Sequence, residues 1–285
     1  MADPAPATGV LRAVDAVLLD VDDTLVDTRA AFRAAVAHVV GAWLPHLDTA
    51  GREQAVRHWT HDPGGYFRAY TRGEVTFAEQ RRLRSADLHA AFGGAALDDE
   101  AYGRWDTGYE AAFRAAWRAA DDAVGLLDAL DAAGLPYGAL TNMAAAYQRT
   151  KLEAVGLARV PVLVTMDDLG RGKPDPAVYH LACRRLGTAP ERTAYVGDEV
   201  DVDARGARDA GLLGVWLDRH GTGDTPGDVP VVRSLGELAA LLVPAVSARA
   251  PRGAPGKGFG DGDTARYSSS SGRDLREAIP PWGMV

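Results

Sequence analysis

The chain has only one cysteine, Cys183, among 285 residues. A single cysteine closes no internal disulfide and supplies no thiolate cluster for a metal, so stability has to come from an ordinary packed core. It lies in the apolar-periodic run Val178 to Cys183, which reads as buried helix, and nothing nearby would activate the thiol. A basic excess is also missing: 31 Lys and Arg stand against 39 Asp and Glu, a formal net charge of −8. A duplex-binding surface needs the opposite balance, which argues against nucleic acid as a partner, while one or two placed cations would still hold a small anion. Long hydrophobic runs are absent. The longest, such as Leu238 to Val243, are far too short to cross a bilayer, so no membrane association is expected. Met1 to Thr8 lacks the basic and apolar regions of a signal peptide, which makes a cytoplasmic, reducing location the expectation. His58 and His61 are three apart but have no acidic or cysteine partner at metal spacing, and read as ordinary exposed or core histidines. No internal repeat is present.

What the chain does have is 47% hydrophobic residues, enough for a real core. Short apolar runs at Val17–Leu19, Tyr137–Leu140, Val162–Val164, Ala194–Val196 and Leu213–Leu217 read as buried parallel strands. Helical patterns lie between them at Asp122–Ala133, Gln148–Val155, Pro176–Leu186 and Val202–Ala210. This alternation predicts an α/β fold with a parallel sheet covered on both faces. Asp175-Pro176 forms a helix start, and Gly134, Gly156, Gly187 and Gly211 each follow a helical run, where a left-handed residue is wanted. The alternation breaks from about Thr28 to Trp117, a helical, aromatic-rich stretch with no strand signal, which predicts an all-helical insertion after the first strand. The expected divisions are a loose lead over 1–12, an α/β core over 13–27 and 120–243, the helical insertion over 28–119, and a disordered tail over 244–285. Residues 247–285 are rich in Gly, Ser, Pro and Arg, with six Arg and Lys against four Asp and Glu, and cannot bury enough apolar surface to order themselves.

Four motifs sit at predicted strand ends, where parallel α/β sheets bind ligands. The first, Asp20-Val21-Asp22-Asp23-Thr24, packs acids together; they repel one another unless a cation intervenes, which implies a divalent ion. In extended backbone Asp20 and Asp22 point to the same side, and a tight loop would let them converge. The second, Gly197-Asp198-Glu199-Val200-Asp201-Val202-Asp203, brings a second acidic cluster to another strand end. The third is Lys173-Pro174-Asp175-Pro176, in which Pro174 keeps Lys173 out of the helical region. The fourth is Leu140-Thr141-Asn142, where a hydroxyl and the following backbone N–H groups can bind phosphate oxygens. Taken singly, each also reads as a solvated turn, a helix cap or a surface lysine.

Together and in this order, the motifs resemble those of the haloacid dehalogenase-like hydrolase superfamily, specifically its phosphatases. Asp20, Asp22 and Thr24 match its first motif, Thr141 the second, Lys173 the third, and Asp198 with Asp203 the fourth. The resemblance implies a Rossmann-like parallel sheet core with an inserted all-helical cap. It implies that Asp20 attacks phosphorus and that Asp22 protonates the leaving oxygen and later activates water. Thr24, Thr141, Asn142 and Lys173 would lie at the substrate. Mg2+ would be held by the Asp20 carboxylate, the Asp22 backbone carbonyl, Asp198 and Asp203, with Asp201 the alternative to Asp203. Asp167 and Asp168 add negative charge near Lys173. The expected substrate is a small phosphorylated metabolite and the expected assembly a monomer or homodimer. Arg68, Arg72, Tyr66 and the Gly64-Gly65 pair are candidates for lining the opening. A dehalogenase of the same superfamily is disfavoured because that reaction needs no acid two residues after the nucleophile. A phosphomutase stays open, and a binding module with a fossil site would show an eroded motif, which this chain does not.

Overall fold

The computed structural model describes residues 11, 13–71, 74–221 and 226–246. The expected loose lead, apart from Leu11, and the expected tail beyond Val246 lie outside the described residues, as does Arg72. Six strands form one parallel sheet: β1 (Ala16–Leu19), β2 (Tyr137–Leu140), β3 (Leu163–Val164), β4 (Thr193–Gly197), β5 (Leu213–Leu217) and β6 (Val231–Val232), in the order β3-β2-β1-β4-β5-β6. All pairs are parallel, and Leu19 faces both Ala139 of β2 and Val196 of β4. The first strand is therefore central, and the residues that follow β1, β2 and β4 emerge side by side at one edge. The strands are short because they are apolar runs buried on both faces.

One apolar layer joins Val17 and Leu19 to Leu126, Leu127, Leu130, Leu238 and Leu242; the opposite layer joins Leu18, Leu140 and Tyr195 to Val178, Tyr179 and Ala182. Helix ends follow the local chemistry. The Asp175 carboxylate accepts the Ala177 N–H at 2.9 Å, and Gly134, Gly156, Gly187 and Gly211 all have positive φ. Two elements differ from the sequence expectation. The segment over Val200–Arg205 is a π-helical turn that gives way to a single α-helical turn at Gly206–Asp209, not one continuous helix. Strand β6, two residues long, carried no readable period.

Among the described residues the insertion comprises five helices: α1 (Thr28–Trp43), α2 (Thr49–His61), α3 (Tyr66–Thr71), α4 (Phe77–Ala91) and α5 (Asp99–Ala115). Their caps are written in the sequence: Asp27, Asp48 and Asp98 each accept an N–H three residues on, and Thr76 with Glu79 forms a capping box. A second core holds them together, with Val36, Val39 and Val40 against Trp59, Trp105, Tyr109, Phe113 and Trp117. Tyr102, Trp105, Tyr109 and Phe113 stack in succession along one helix face. The two connections to the sheet domain run side by side: the Asp27 N–H donates to Arg118 O at 3.0 Å and the Ala120 N–H to Leu25 O at 2.9 Å. The cap thus leaves and re-enters at one point, directly beyond the loop that carries Asp20 and Asp22.

Candidate active site

The loop after β1 is tightly folded. The Asp20 N–H donates to Val196 O at 2.9 Å, so its main chain is still in the sheet, while Leu25 N and Val26 N both donate to Val21 O, at 2.9 and 2.8 Å. Asp23 takes the left-handed conformation that turns the chain, φ 55°, which aspartate tolerates better than most residues. The three neighbouring acids do not share one cation. Asp20 Oδ1 accepts from Lys173 Nζ at 2.6 Å, Asp22 Oδ1 from Lys151 Nζ at 2.6 Å, and Asp23 Oδ2 lies 3.4 Å from Arg29 Nε. Asp22 stays close enough to Asp20 to disfavour its ionisation, while the Asp22 carboxylate is itself bonded to buried donors.

A different acid set surrounds Asp20. Asp20, Asp198 and Asp203 each place a carboxylate oxygen within 4.8 Å of the others, a grouping able to hold a metal ion. Asp198 is the first residue after β4, and its carbonyl accepts from Trp216 Nε1 at 2.8 Å. Asp203 reaches back from the π-helical turn, which draws one extra residue into the coil and so sets its side chain over the strand end. Asp203 is almost fully buried; its Oδ2 accepts the Glu199 N–H at 3.0 Å and its Oδ1 accepts from Lys173 Nζ at 2.7 Å. A Cβ at Gly197 would collide with the Asp203 carboxylate, so that close approach requires glycine. Asp201, the alternative, is exposed and pairs with Arg205 at 2.6 Å.

Lys173 donates to Asp20, to Asp203 and to the Tyr195 hydroxyl, the last at 2.8 Å, which uses its three N–H bonds. Asn142 fixes its main chain, accepting from Lys173 N at 2.6 Å and donating to Lys173 O at 3.0 Å. The Asn142 side chain is thereby committed to the lysine, and what it can offer a phosphate is its main-chain N–H. Thr141 Oγ1 accepts from Gln148 Nε2 at 3.0 Å and from Met143 N at 3.3 Å, an arrangement that turns its own proton outward as a donor. Thr24 is fully buried and its hydroxyl has no hydrogen-bond partner, while its carbonyl accepts from Arg219 at 2.9 Å; it belongs to the packing of the loop. Tyr66, Arg68 and the Gly64-Gly65 pair lie at and just before α3.

The charges are unevenly balanced. Burial, with Asp203 and Asp22 adding to it, pushes Asp20 well above the usual carboxylate range despite Lys173. Burial and then Asp203, Asp23 and Asp20 do the same to Asp198. Burial also lifts Asp23 to about 6. Burial works against the Lys173 ammonium, but the Asp20 and Asp203 carboxylates outweigh it and raise the group above the ordinary lysine value. Burial first, and neighbouring carboxylates after it, disfavour ionisation of Asp20 and Asp198, and a cation held between them would offset both costs.

Sequence reasoning missed Lys151, Gln148, Thr28 and Tyr195. Gln148 and Lys151 stand three apart in the helix α6 over Ala145–Ala154, a spacing that shares a face, but the sequence showed them only as part of the helical run from Gln148 to Val155. Tyr195 was legible only as a strand residue.

A parallel sheet whose central strand ends in Asp20, a lysine bonded to that acid and an all-helical insertion after the first strand place the molecule in the α/β class. The chain belongs to the haloacid dehalogenase-like hydrolase family, matching it over residues 14–211. It is 34% identical over 198 residues to an N-acetylmuramic acid 6-phosphate phosphatase of Pseudomonas aeruginosa, covering 69% of this chain and 78% of that protein. It is 40% identical over 111 residues to a phosphoserine phosphatase of Thermus thermophilus, covering 39% of this chain and 44% of the relative, so it spans less than half of that relative's length. Among solved structures it is similar to a dehalogenase with intermediate complex, with a TM-score of 0.60, 26% identity, and coverage of 81% of this chain and 98% of the other. No helix among the described residues is long and apolar enough to cross a membrane.

Proposed function

We propose that this chain is a magnesium-dependent phosphatase that hydrolyses a small phosphomonoester through an aspartyl-phosphate on Asp20. The observation that carries the reading is the setting of Asp20: at the end of the central strand, 2.6 Å from Lys173 and grouped with Asp198 and Asp203. Two phosphatase relatives support it. The donor set fits magnesium, which prefers a few carboxylates with waters and phosphate oxygens filling the rest of its shell. Asp20, Asp198 and Asp203 would hold it with the Asp22 carbonyl, and the ion would supply charge neutralisation for the transferring phosphoryl group. Asp20 attacks phosphorus in line, the Thr141 hydroxyl and Lys173, which gives up one of its three present bonds, bind the phosphoryl oxygens, and Asp22 gives its proton to the leaving oxygen. Asp22 then takes a proton from the water that opens the aspartyl-phosphate, and Asp20 is restored. The helical cap excludes bulk water and selects the leaving group. The enzyme would act on a soluble metabolite in the cytoplasm, as a monomer or homodimer.

The structural likeness to a dehalogenase favours a second reading, halide displacement at Asp20. The buried Asp22, held by Thr28, Lys151 and Gln148, weighs against it, since that reaction has no leaving oxygen to protonate. Release of phosphate or halide over a panel of phosphomonoesters and 2-haloacids, with magnesium or EDTA, decides between them. Magnesium-dependent phosphate release supports the proposal, and halide release without phosphate release rejects it.

A further inference from the structure

Asp22 is held by three side chains from two distant parts of the chain. Its Oδ1 accepts from Thr28 Oγ1 at 2.7 Å and from Lys151 Nζ at 2.6 Å, and its Oδ2 accepts from Gln148 Nε2 at 2.7 Å. Gln148 and Lys151 are both fully buried, on one face of α6. The same Gln148 amide nitrogen also donates to Thr141 Oγ1 at 3.0 Å, so one side chain ties the proposed acid and base to the proposed phosphate-binding hydroxyl. Lys151 Nζ lies 5.6 Å from the Trp117 ring centre and 5.3 Å from that of Tyr147, so the ammonium is walled in by aromatic faces where the cap rejoins the sheet domain. Taking a lysine wholly out of water is costly, and a hydrophobic residue of similar size would fill such a site at less expense. A carboxylate has about four lone-pair sites. Thr28, Lys151 and Gln148 occupy three, which leaves one position, on Oδ2, for a mobile proton.

We propose that Lys151 and Gln148 are positioning residues for the proton transfers of Asp22, fixing its carboxylate so that a single Oδ2 lone pair beside Thr141 carries the proton to the leaving oxygen and later accepts one from water. This rests on the phosphatase reading above. No bond to substrate is assigned to either residue.

The test uses the full chain with magnesium and compares kcat/KM for an aryl phosphate, whose leaving group needs no proton, with that for an alkyl phosphate, whose leaving group does. Lys151→Met, Gln148→Leu and Asp22→Asn are measured alone and each of the first two in combination with Asp22→Asn, with thermal unfolding checked throughout. Lys151→Met should lose at least tenfold more kcat/KM on the alkyl than on the aryl ester, as Asp22→Asn does, and should add less than twofold in the Asp22→Asn background. Gln148→Leu should show the same pattern more weakly, and it decides the question if Lys151→Met does not fold. Equal losses on both esters, or full additivity with Asp22→Asn, would make the two residues merely structural and overturn the inference. Wild-type protein inactive on both esters would instead overturn the phosphatase reading and this inference with it.

Discussion

At the scale of single residues, the site solves a charge problem twice over. Asp20, Asp22 and Asp23 are near neighbours, and each has its own cation in Lys173, Lys151 and Arg29. Two substitutions separate their roles. Asp20→Asn removes the proposed nucleophile, and turnover should fall on the order of 10³-fold or more, about 4 kcal/mol of barrier. Asp22→Asn keeps the proposed nucleophile and the backbone carbonyl, so an aryl phosphate should still phosphorylate the enzyme while hydrolysis of the intermediate stalls; equal loss of kcat/KM with good and poor leaving groups would contradict that division. Asp23 gives a pH prediction. Burial raises its folded pKa to about 6 from an ordinary 3.8. The fold therefore holds this proton more tightly than the unfolded chain does, and its contribution is complete below the unfolded value and lost as pH rises toward 6. The loss is at most about 3 kcal/mol. In metal-free protein, Asp23→Asn should thus become more stabilising relative to wild type between pH 4 and pH 7, measured by thermal unfolding; a constant difference would refute the assignment. The motif acids were legible in the sequence because their spacing and strand-end positions are local properties. Lys151 and Gln148 were not, because their role depends on α6 packing beneath a loop more than a hundred residues earlier, and a polar helix face looks the same whether it meets water or a buried carboxylate.

At the scale of elements, the alternation of β1 to β5 with helices, the glycine helix ends, the Asp175 cap and the all-helical insertion could be read directly, since each rests on period, glycine placement or a capping side chain. The π-helical turn over Val200–Arg205 could not, because its extra residue is fixed by tertiary contact. Its carbonyl at Ala204 lies directly against Gly214 of β5, and a Cβ there would strike that backbone. Neither partner can yield by a rotamer change: Gly214 pairs with Tyr195 in the sheet, and Ala204 follows Asp203. Gly214→Ala should therefore destabilise the protein by about 1–3 kcal/mol and weaken magnesium binding as well, since it displaces the turn that carries Asp203. Thermal unfolding and a magnesium titration of the variant check both effects, and an unchanged magnesium affinity would detach the turn from the metal site.

At the scale of the molecule, two cores meet at one paired connection, Asp27 with Arg118 and Leu25 with Ala120, next to the loop that carries the proposed chemistry. Tyr147 of the sheet domain donates to Glu110 of the cap at 3.0 Å, so the same helix that holds Asp22 also touches the cap. Chelation should abolish phosphate release and magnesium should restore it, because burial and the neighbouring carboxylates disfavour ionisation of Asp20, the proposed nucleophile, when no cation is bound. Undiminished turnover in excess EDTA would remove the metal from the account. The central claim is the covalent intermediate, and the most direct measurement is rapid-quench mass spectrometry of the Asp22→Asn protein after mixing with an aryl phosphate and magnesium. The account predicts one added phosphoryl group, located on Asp20 and absent when Asp20 is also replaced by Asn. Phosphate release with no covalent species at any time, or a phosphoryl group on another residue, would contradict it.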